Sequence, residues 1–306
     1  MHPAWSVILF TVLAGLGQGL FVMLVRASDS GIAPHLLGMA GLASTVLLCV
    51  GLACSFLHLG HPLRAWRAVA MWRTSWLSRE VIVLPITVAV VAAWSLAQLA
   101  GSVHAQWLGL LGVALCFVLW VCTGMIYACI RFLREWAHPL TLVNFVLLGW
   151  MSGATLFAAL GELVPGFSAN PLWLTAATAL TVAGACARLA SLGRNRMLKP
   201  VSTPQSALGV RAAKLKQMSQ GATGGSFNTR EFFHGKSALV VRNVRWIALG
   251  LAFALPLALL VAARYQPGAG LVALAALSQV LGLLAERWLF FAQANHPQNI
   301  YYQAVA

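Results

Sequence analysis

Two side chains that can carry protons, His58 and Glu80, lie in a short polar stretch between two long apolar segments. Residues 55–80 include two histidines, four arginines, three tryptophans and a single acidic residue. Because charged groups are costly beside hydrocarbon, a cluster at the edge of apolar segments indicates a lined cavity, a ligand site or a docking surface. A histidine and a carboxylate held there could donate a hydrogen bond and deliver protons.

A quinone head group is one ligand that a histidine and a carboxylate could serve. Each carbonyl oxygen requires a hydrogen-bond donor, and the two-electron reduction takes up two protons. His58 and Glu80 suit these roles, and Trp76 could form a pocket wall. Simpler interpretations stay open. His58 could bond a free backbone carbonyl at a helix end, and the tryptophans could be interfacial anchors. Glu80 could complement a helix N-terminus or pair with Arg79 or Arg73.

Membrane-spanning helices are the elements that must position these residues. Of the 306 residues, 60% are hydrophobic and 8% are charged, and the mean hydropathy is +0.82, which is typical of an integral membrane protein. A scan for stretches of about 20 apolar residues predicts an all-α fold with eight transmembrane helices. They lie near 5–25, 34–57, 81–101, 107–130, 140–160, 172–192, 239–262 and 269–291. The first lacks a cleavage signal, so a retained helix is predicted.

The distribution of basic residues predicts the orientation of the chain. With eight spans the connections alternate between two sides, and one side carries eighteen of the twenty lysines and arginines. Only Arg26 and Arg264 lie on the other side. By the positive-inside rule the basic side is cytoplasmic and holds both termini. Residues 1–306 are predicted to form a single membrane domain, with one long basic cytoplasmic loop at 193–238.

The same features limit the other ligands. The net charge of +14 follows mainly from topology, and aromatic residues are not interleaved with the basic ones of the loop, so no nucleic acid is predicted. The loop could bind lipid head groups or an acidic protein surface. No haem and no metal site are predicted, because the relevant histidines fall at helix ends or in loops. They are His35, His58, His104, His138 and His296.

Small and polar residues inside the spans are predicted to join helices. Gly15, Gly17 and Gly19 follow one another at intervals of two in the first span and would permit close helix packing. Gln18 and Asn144 lie within apolar spans and are predicted to form interhelical hydrogen bonds.

Four features resemble the DmsC family of membrane anchor subunits, which belong to molybdopterin enzymes of the dimethyl sulfoxide reductase superfamily. They are the N-terminal Met-His-Pro-Ala-Trp-Ser-Val-Ile, the Leu-His-Leu-Gly-His-Pro-Leu-Arg of 57–64, the Ser-Trp-Leu-Ser-Arg-Glu of 75–80, and eight spans over the whole chain. The resemblance implies a quinone site in the membrane, an iron–sulfur partner subunit and a molybdopterin catalytic subunit. It also implies that His58 and Glu80 belong to the quinone site.

The basic side distinguishes two branches of that family. The dimethyl sulfoxide reductase anchor is associated with catalytic subunits on the periplasmic face, whereas the motif side here is predicted to be cytoplasmic. In this orientation the chain is similar to the SoeC-type anchor of cytoplasmic sulfite-oxidising SoeABC enzymes. The N-terminal segment, the stretch 131–141 and the long basic loop resemble the same branch. We therefore expect a bacterial inner-membrane anchor that passes electrons from sulfite oxidation to ubiquinone or menaquinone.

The expected site has four members and the expected docking surface has its own basic residues. Glu80 and His58 would handle protons and hydrogen bonds, and Trp76 and Arg67 would hold the quinone. The iron–sulfur subunit would dock beside them on four further arginines of the basic side. These are Arg64, Arg73, Arg131 and Arg134.

Three other functions are left open by the residues. One is a quinol-oxidising anchor of a dimethyl sulfoxide reductase-type complex. A second is an anchor that only tethers its partners and does not contact a quinone. The third is an eight-helix anion transporter with an arginine-rich mouth, although its midplane would be unusually apolar for that class.

Overall fold

The computed structural model describes residues 2–57, 59–167, 171–199, 202–216, 218, 232–268 and 270–301, and every regular element among them is helical. Eight helices are long and apolar enough to cross a bilayer. They are α1 (Trp5–Arg26), α2 (Pro34–Phe56), α3 (Trp76–Leu99), α4 (Ala105–Ala128), α5 (Pro139–Leu163), α6 (Pro171–Arg196), α7 (Ala238–Ala262) and α8 (Leu271–Ala292). The predicted all-helical fold and its eight spans are confirmed.

Helix α3 begins five residues before the predicted start at 81. Ser75 is its N-cap, and the hydroxyl oxygen of Ser75 accepts a hydrogen bond of 3.3 Å from the amide of Ser78. The polar residues of the first turns lower the local hydropathy, so a hydropathy scan starts the helix too late. Glu80 therefore lies in the second turn of α3.

Helix α1 is the most deeply buried of the eight and packs on α2, α4, α5 and α8. Its glycines meet those of α5. A Cβ atom added to Gly19 would collide with the carbonyl oxygen of Gly149, and one added to Gly153 would collide with the backbone of Gly19. Only hydrogen fits at these positions, which confirms the predicted role of the glycines in close helix packing.

Two predicted interhelical hydrogen bonds are also confirmed. The side-chain amide of Gln18 donates to the carbonyl of Cys116 at 3.0 Å and so joins α1 to α4. The side-chain amide of Asn144 donates to the hydroxyl of Ser191 at 2.7 Å and joins α5 to α6. In an apolar bundle these bonds satisfy polar groups that lipid could not.

The ends of the helices gather at two ends of the bundle. The starts of α1 and α3 and the ends of α2, α4 and α8 line one cavity, and Glu80 lies there. We call this the Glu80 end. The ends of α5 and α7 and the starts of α6 and α8 line a cavity at the opposite end, which we call the far end.

Two connections at the Glu80 end have structure of their own. A 3₁₀ helix, Pro62–Met71, joins α2 to α3 and packs on α3. In the long connection before α7, a single helical turn, Pro204–Leu208, ends at Gly209 with φ of 65°. The loop predicted to begin at 193 begins later, because α6 continues to Arg196.

Candidate functional site

An apolar cavity of about 400 Å³ opens at the Glu80 end. Its walls come from the segment before α1, the end of α2, the 3₁₀ helix, the start of α3, and the ends of α4 and α8. Most of the lining side chains are apolar, among them Phe10, Phe56 and Phe291. Three titratable side chains interrupt this lining, and they are His2, Glu80 and Tyr127.

Glu80 brings a carboxylate into the wall of this cavity. Its side chain is only 5% exposed, and its Oε1 accepts a hydrogen bond from the hydroxyl of Thr123 on α4. The alternative ion pair with Arg79 does not form, because the Arg79 guanidinium donates instead to the carbonyls of Trp72 and Arg73, at 3.0 and 2.8 Å. A buried carboxylate held by a neutral donor is an unusual and chemically competent group.

His58, the second residue of the predicted proton pair, lies outside the described residues. The chain before it and after it does belong to the cavity, since Ser55, Phe56 and Leu59 line the wall. The proposed role of His58 therefore stays a prediction that rests on its motif.

Trp76 and Arg67 do not line the cavity. Cavity-facing residues of α3 include Leu77, Glu80 and Leu84, whereas Trp76 lies on the adjacent face, where it borders a separate groove with Arg79. Arg67 is exposed on the 3₁₀ helix, with its guanidinium 5.5 Å from the ring centroid of Trp66. The structure thus brings Glu80, but neither Trp76 nor Arg67, to the cavity wall.

Comparison with known proteins identifies the family. The model of the family described as DMSO reductase anchor subunit (DmsC) matches residues 1–292. The chain belongs to the DmsC family. It is also 48% identical to a subunit of the sulfite dehydrogenase of Allochromatium vinosum, over the whole length of both chains. The predicted resemblance is confirmed, and this DmsC-family chain is a membrane anchor subunit of an oxidoreductase with catalytic partner subunits.

The arginines predicted to dock the partner of this DmsC-family subunit lie at the Glu80 end. In the 3₁₀ helix, side chains three apart share a face, so Ala65 and Ala68 face the cavity while Arg64 and Arg67 are exposed. The other basic residues follow this helix or lie between α4 and α5. They are Arg73, Arg131 and Arg134, all exposed, and Arg134 donates to the carbonyl of Lys199 at 2.8 Å.

Sequence reasoning missed Thr123 and Tyr127 as members of the site. Tyr127 lines the cavity, and its ring stacks on Phe145 with centroids 5.5 Å apart. Both residues stand near the end of α4, at the depth where Glu80 stands near the start of the antiparallel α3. Matching the depths of polar residues on successive spans would have been the available signal.

The far end holds a second cavity of about 470 Å³, but its charged groups already have partners. The Glu162 carboxylate accepts the backbone amides of Gly270, Val272 and Ala273 at the start of α8. The guanidinium of Arg264 donates to the hydroxyl of Thr175 at 3.1 Å. The Glu80 cavity is therefore the better candidate for chemistry.

The DmsC-family fold offers no obvious metal centre in the part of the chain that is described. There, no three His, Cys, Asp or Glu side chains are placed to hold a metal ion together.

Proposed function

We propose that this subunit is the quinone-reactive membrane anchor of a sulfite-oxidising complex. An iron–sulfur subunit and a molybdopterin catalytic subunit dock on its cytoplasmic face, and electrons from sulfite pass to a quinone in the Glu80 cavity. The observation that carries this proposal is the burial of one carboxylate in the wall of an apolar cavity at a bundle end. The name of the relative from Allochromatium vinosum supports sulfite as the substrate of the complex.

The lining of the cavity fits a quinone. Aromatic and aliphatic walls suit the ring and the isoprenoid tail, and a few polar groups fix the orientation of such ligands. The Tyr127 hydroxyl and the His2 imidazole can donate hydrogen bonds to carbonyl oxygens. A bound quinone would accept two electrons and take up two protons.

Glu80 is the residue proposed to pass protons inside the cavity. Its buried carboxylate is held by Thr123 and reaches the cavity wall, so a proton on Glu80 can move to a ligand oxygen without returning to bulk water. His58 would donate a hydrogen bond to a carbonyl oxygen, as its motif implies.

The protons of the whole cycle balance. Oxidation of sulfite with water yields sulfate, two protons and two electrons, and quinone reduction consumes two protons and two electrons. With both on one side, the cycle is electroneutral.

The exposed arginines of the Glu80 end support docking there. Arg64 and Arg67 lie on the 3₁₀ helix that lines the cavity, Arg73 follows that helix, and Arg131 and Arg134 lie on the connection between α4 and α5. A positive surface steers and orients an acidic partner. A cluster docked above the 3₁₀ helix would stand close to the cavity, which short-range electron transfer requires.

The cytoplasmic side is proposed from the charge distribution. Connections at the Glu80 end carry most of the lysines and arginines, and the positive-inside rule assigns such an end to the cytoplasm. Both termini and the basic connection before α7 would then be cytoplasmic.

Two alternatives predict different activities. A dimethyl sulfoxide reductase-type anchor would oxidise quinol and deliver electrons to a reductase on the periplasmic face. An anion transporter would move solute across vesicles without partner subunits, and family membership argues against it. Protease access to the partner subunits in inside-out and right-side-out vesicles separates the first alternative from the proposal, and solute flux tests the second.

The deciding experiment measures sulfite-dependent quinone reduction by the purified complex. Glu80→Gln should lower this rate about 100-fold, whereas sulfite oxidation with an artificial acceptor should be unchanged. His58→Ala tests the motif residue in the same way. Glu135→Gln is the matched control, since it removes a carboxylate at the same end but outside the cavity.

Each other outcome has a defined meaning. If the complex oxidises sulfite with the artificial acceptor but Glu80→Gln retains quinone reduction, the quinone site lies elsewhere. If sulfite supports no acceptor at all, the assignment of sulfite fails and the anchor role alone remains.

A further inference from the structure

Four charged side chains lie in the interior of the described part of the chain. They are Glu80, Arg188, Glu286 and Arg287, and each is no more than 5% exposed. Two are acidic and two are basic, so their formal charges cancel when Glu80 is ionised. Burying a charge without an opposite charge nearby is costly, so this balance lowers the cost of keeping all four groups ionised.

Three of the four form one group between α6 and α8. Arg188 Nε lies 2.8 Å from Glu286 Oε1, and Arg287 Nε lies 3.3 Å from Glu286 Oε2. The guanidinium of Arg287 also packs 4.0 Å from the ring centroid of Phe145 on α5. Two arginines share one glutamate, so the group carries a surplus of one positive charge. The sequence alone places these residues only as charges near the membrane edge.

A small void lies between Arg287 and Thr123, the hydrogen-bond partner of Glu80. The void measures about 20 Å³ and is lined by Thr123, Trp120 and Arg287. That volume accommodates one water molecule. The Thr123 hydroxyl donates to Glu80, and the indole N–H of Trp120 is buried without a partner in the described structure. A water in the void would accept from Trp120 and Arg287 and donate to the Thr123 oxygen.

Among the described residues near Glu80, no other charged side chain is buried. On its own helix, Arg79 turns away to the carbonyls of Trp72 and Arg73. From α4 come the neutral Cys122 and Tyr127, and His2 lies at the cavity wall before α1. From α8 comes Arg287, which lines the same void as Thr123.

We propose that the Arg188–Glu286–Arg287 group is the buried counter-charge of Glu80, acting through Arg287, one bound water and Thr123. It keeps Glu80 as a carboxylate while the cavity holds no reduced ligand. Arg287 is then a positioning residue and does not touch the ligand. This consequence rests on the proposed function: Glu80 holds a proton only briefly, because a protonated Glu80 leaves one positive charge uncompensated in the interior.

Infrared difference spectroscopy of the complete complex tests the charge state without any turnover. At neutral pH, the protonated-carboxyl band of Glu80 should be absent from the wild type. It should appear in Arg287→Met, which leaves Arg188 and Glu286 as a balanced pair, and it should vanish again when Glu80→Gln is added. Arg188→Met also removes the surplus charge and should produce the same band.

Two further variants keep the surplus charge and act as controls. Arg287→Lys and the double variant Arg188→Met/Glu286→Gln each retain one uncompensated positive charge, and neither should produce the band. The proposal is overturned if the wild type already displays the band of Glu80, or if both arginine-to-methionine variants assemble and lack it.

A kinetic readout separates this inference from the proposed function. Arg287→Met should lower kcat for quinone reduction about tenfold and change KM by less than about twofold, because Arg287 lies behind the wall of the cavity and not in it. If the infrared result holds but no variant alters quinone reduction, the counter-charge stands and the quinone assignment fails. If the arginine-to-methionine variants lack the protonated-carboxyl band but Glu80→Gln loses quinone reduction, the quinone assignment stands and the counter-charge fails.

Discussion

The hydroxyl of Thr123 donates a hydrogen bond to Oε1 of Glu80 and thereby ties α4 to α3 at the wall of the cavity. Thr123 also lines a small void together with Arg287. Thr123 therefore stands between the group proposed to exchange protons with a ligand and the buried charge proposed to control it. The proposed role of Glu80 therefore depends on this neighbour.

Replacing Thr123 by valine should impair Glu80 without disturbing the packing. Valine keeps the shape of threonine but removes the donor, and a hydrogen bond to a charged group is worth about 1.5–3 kcal/mol. Quinone reduction by the assembled complex should fall by about tenfold or more, while Thr123→Ser should retain most of the activity. Full activity in Thr123→Val would mean that the bond has no part in turnover.

The fold was predictable because the bilayer imposes a length and a composition on each helix. Eight spans, the glycine contact of α1 and the bonds of Gln18 and Asn144 all follow from features that each span carries by itself. The sequence also singles out Glu80, because it is the one acidic residue of the stretch 55–80 between two apolar spans.

The other residues of the candidate site are determined by which helix faces pack together, and a hydropathy profile does not contain that information. Trp76 precedes Glu80 by about one helical turn, yet Glu80 lines the cavity whereas Trp76 lines the separate groove with Arg79. Likewise Arg188 and Arg287 have the depth of membrane-edge charges, but their faces point into the bundle, where they share Glu286.

Substituting Gly19 by alanine should prevent close packing of α1 on α5. The added methyl group would collide with the backbone of Gly149, which cannot move aside as a side chain can. We expect a loss of about 1–3 kcal/mol of stability or more, measured as a lower midpoint of thermal unfolding in detergent. Gly193→Ala is the control, because its Cβ would meet no atom within 4 Å and alanine favours helix. Equal midpoints for the two variants would contradict the proposed contact.

His138 should make stability depend on pH. Its Nδ1 accepts the amide of Leu140 at the start of α5, and burial together with the Arg194 guanidinium lowers the pKa of His138. The unfolded chain therefore binds more protons in the window between an ordinary histidine pKa of about 6.5 and the lowered folded value. Stability should fall as pH decreases through that window. Unfolding midpoints measured against pH should display this loss, and His138→Asn, which caps without titrating, should abolish it. His104→Asn should leave it unchanged, because the side chain of His104 makes no capping bond.

Removing charge from the 3₁₀ helix and from Arg73, which follows it, should weaken partner binding without harming the anchor itself. The triple variant Arg64→Gln/Arg67→Gln/Arg73→Gln alters exposed side chains only, so folding should be preserved. Affinity for the iron–sulfur subunit should fall about tenfold at low ionic strength, and the difference should shrink as salt is added, because screening weakens exposed charges. Co-purification across a salt series measures both effects. Arg26→Gln at the far end is the control and should bind like the wild type; a triple variant that binds equally well would move the docking surface to the α4–α5 connection.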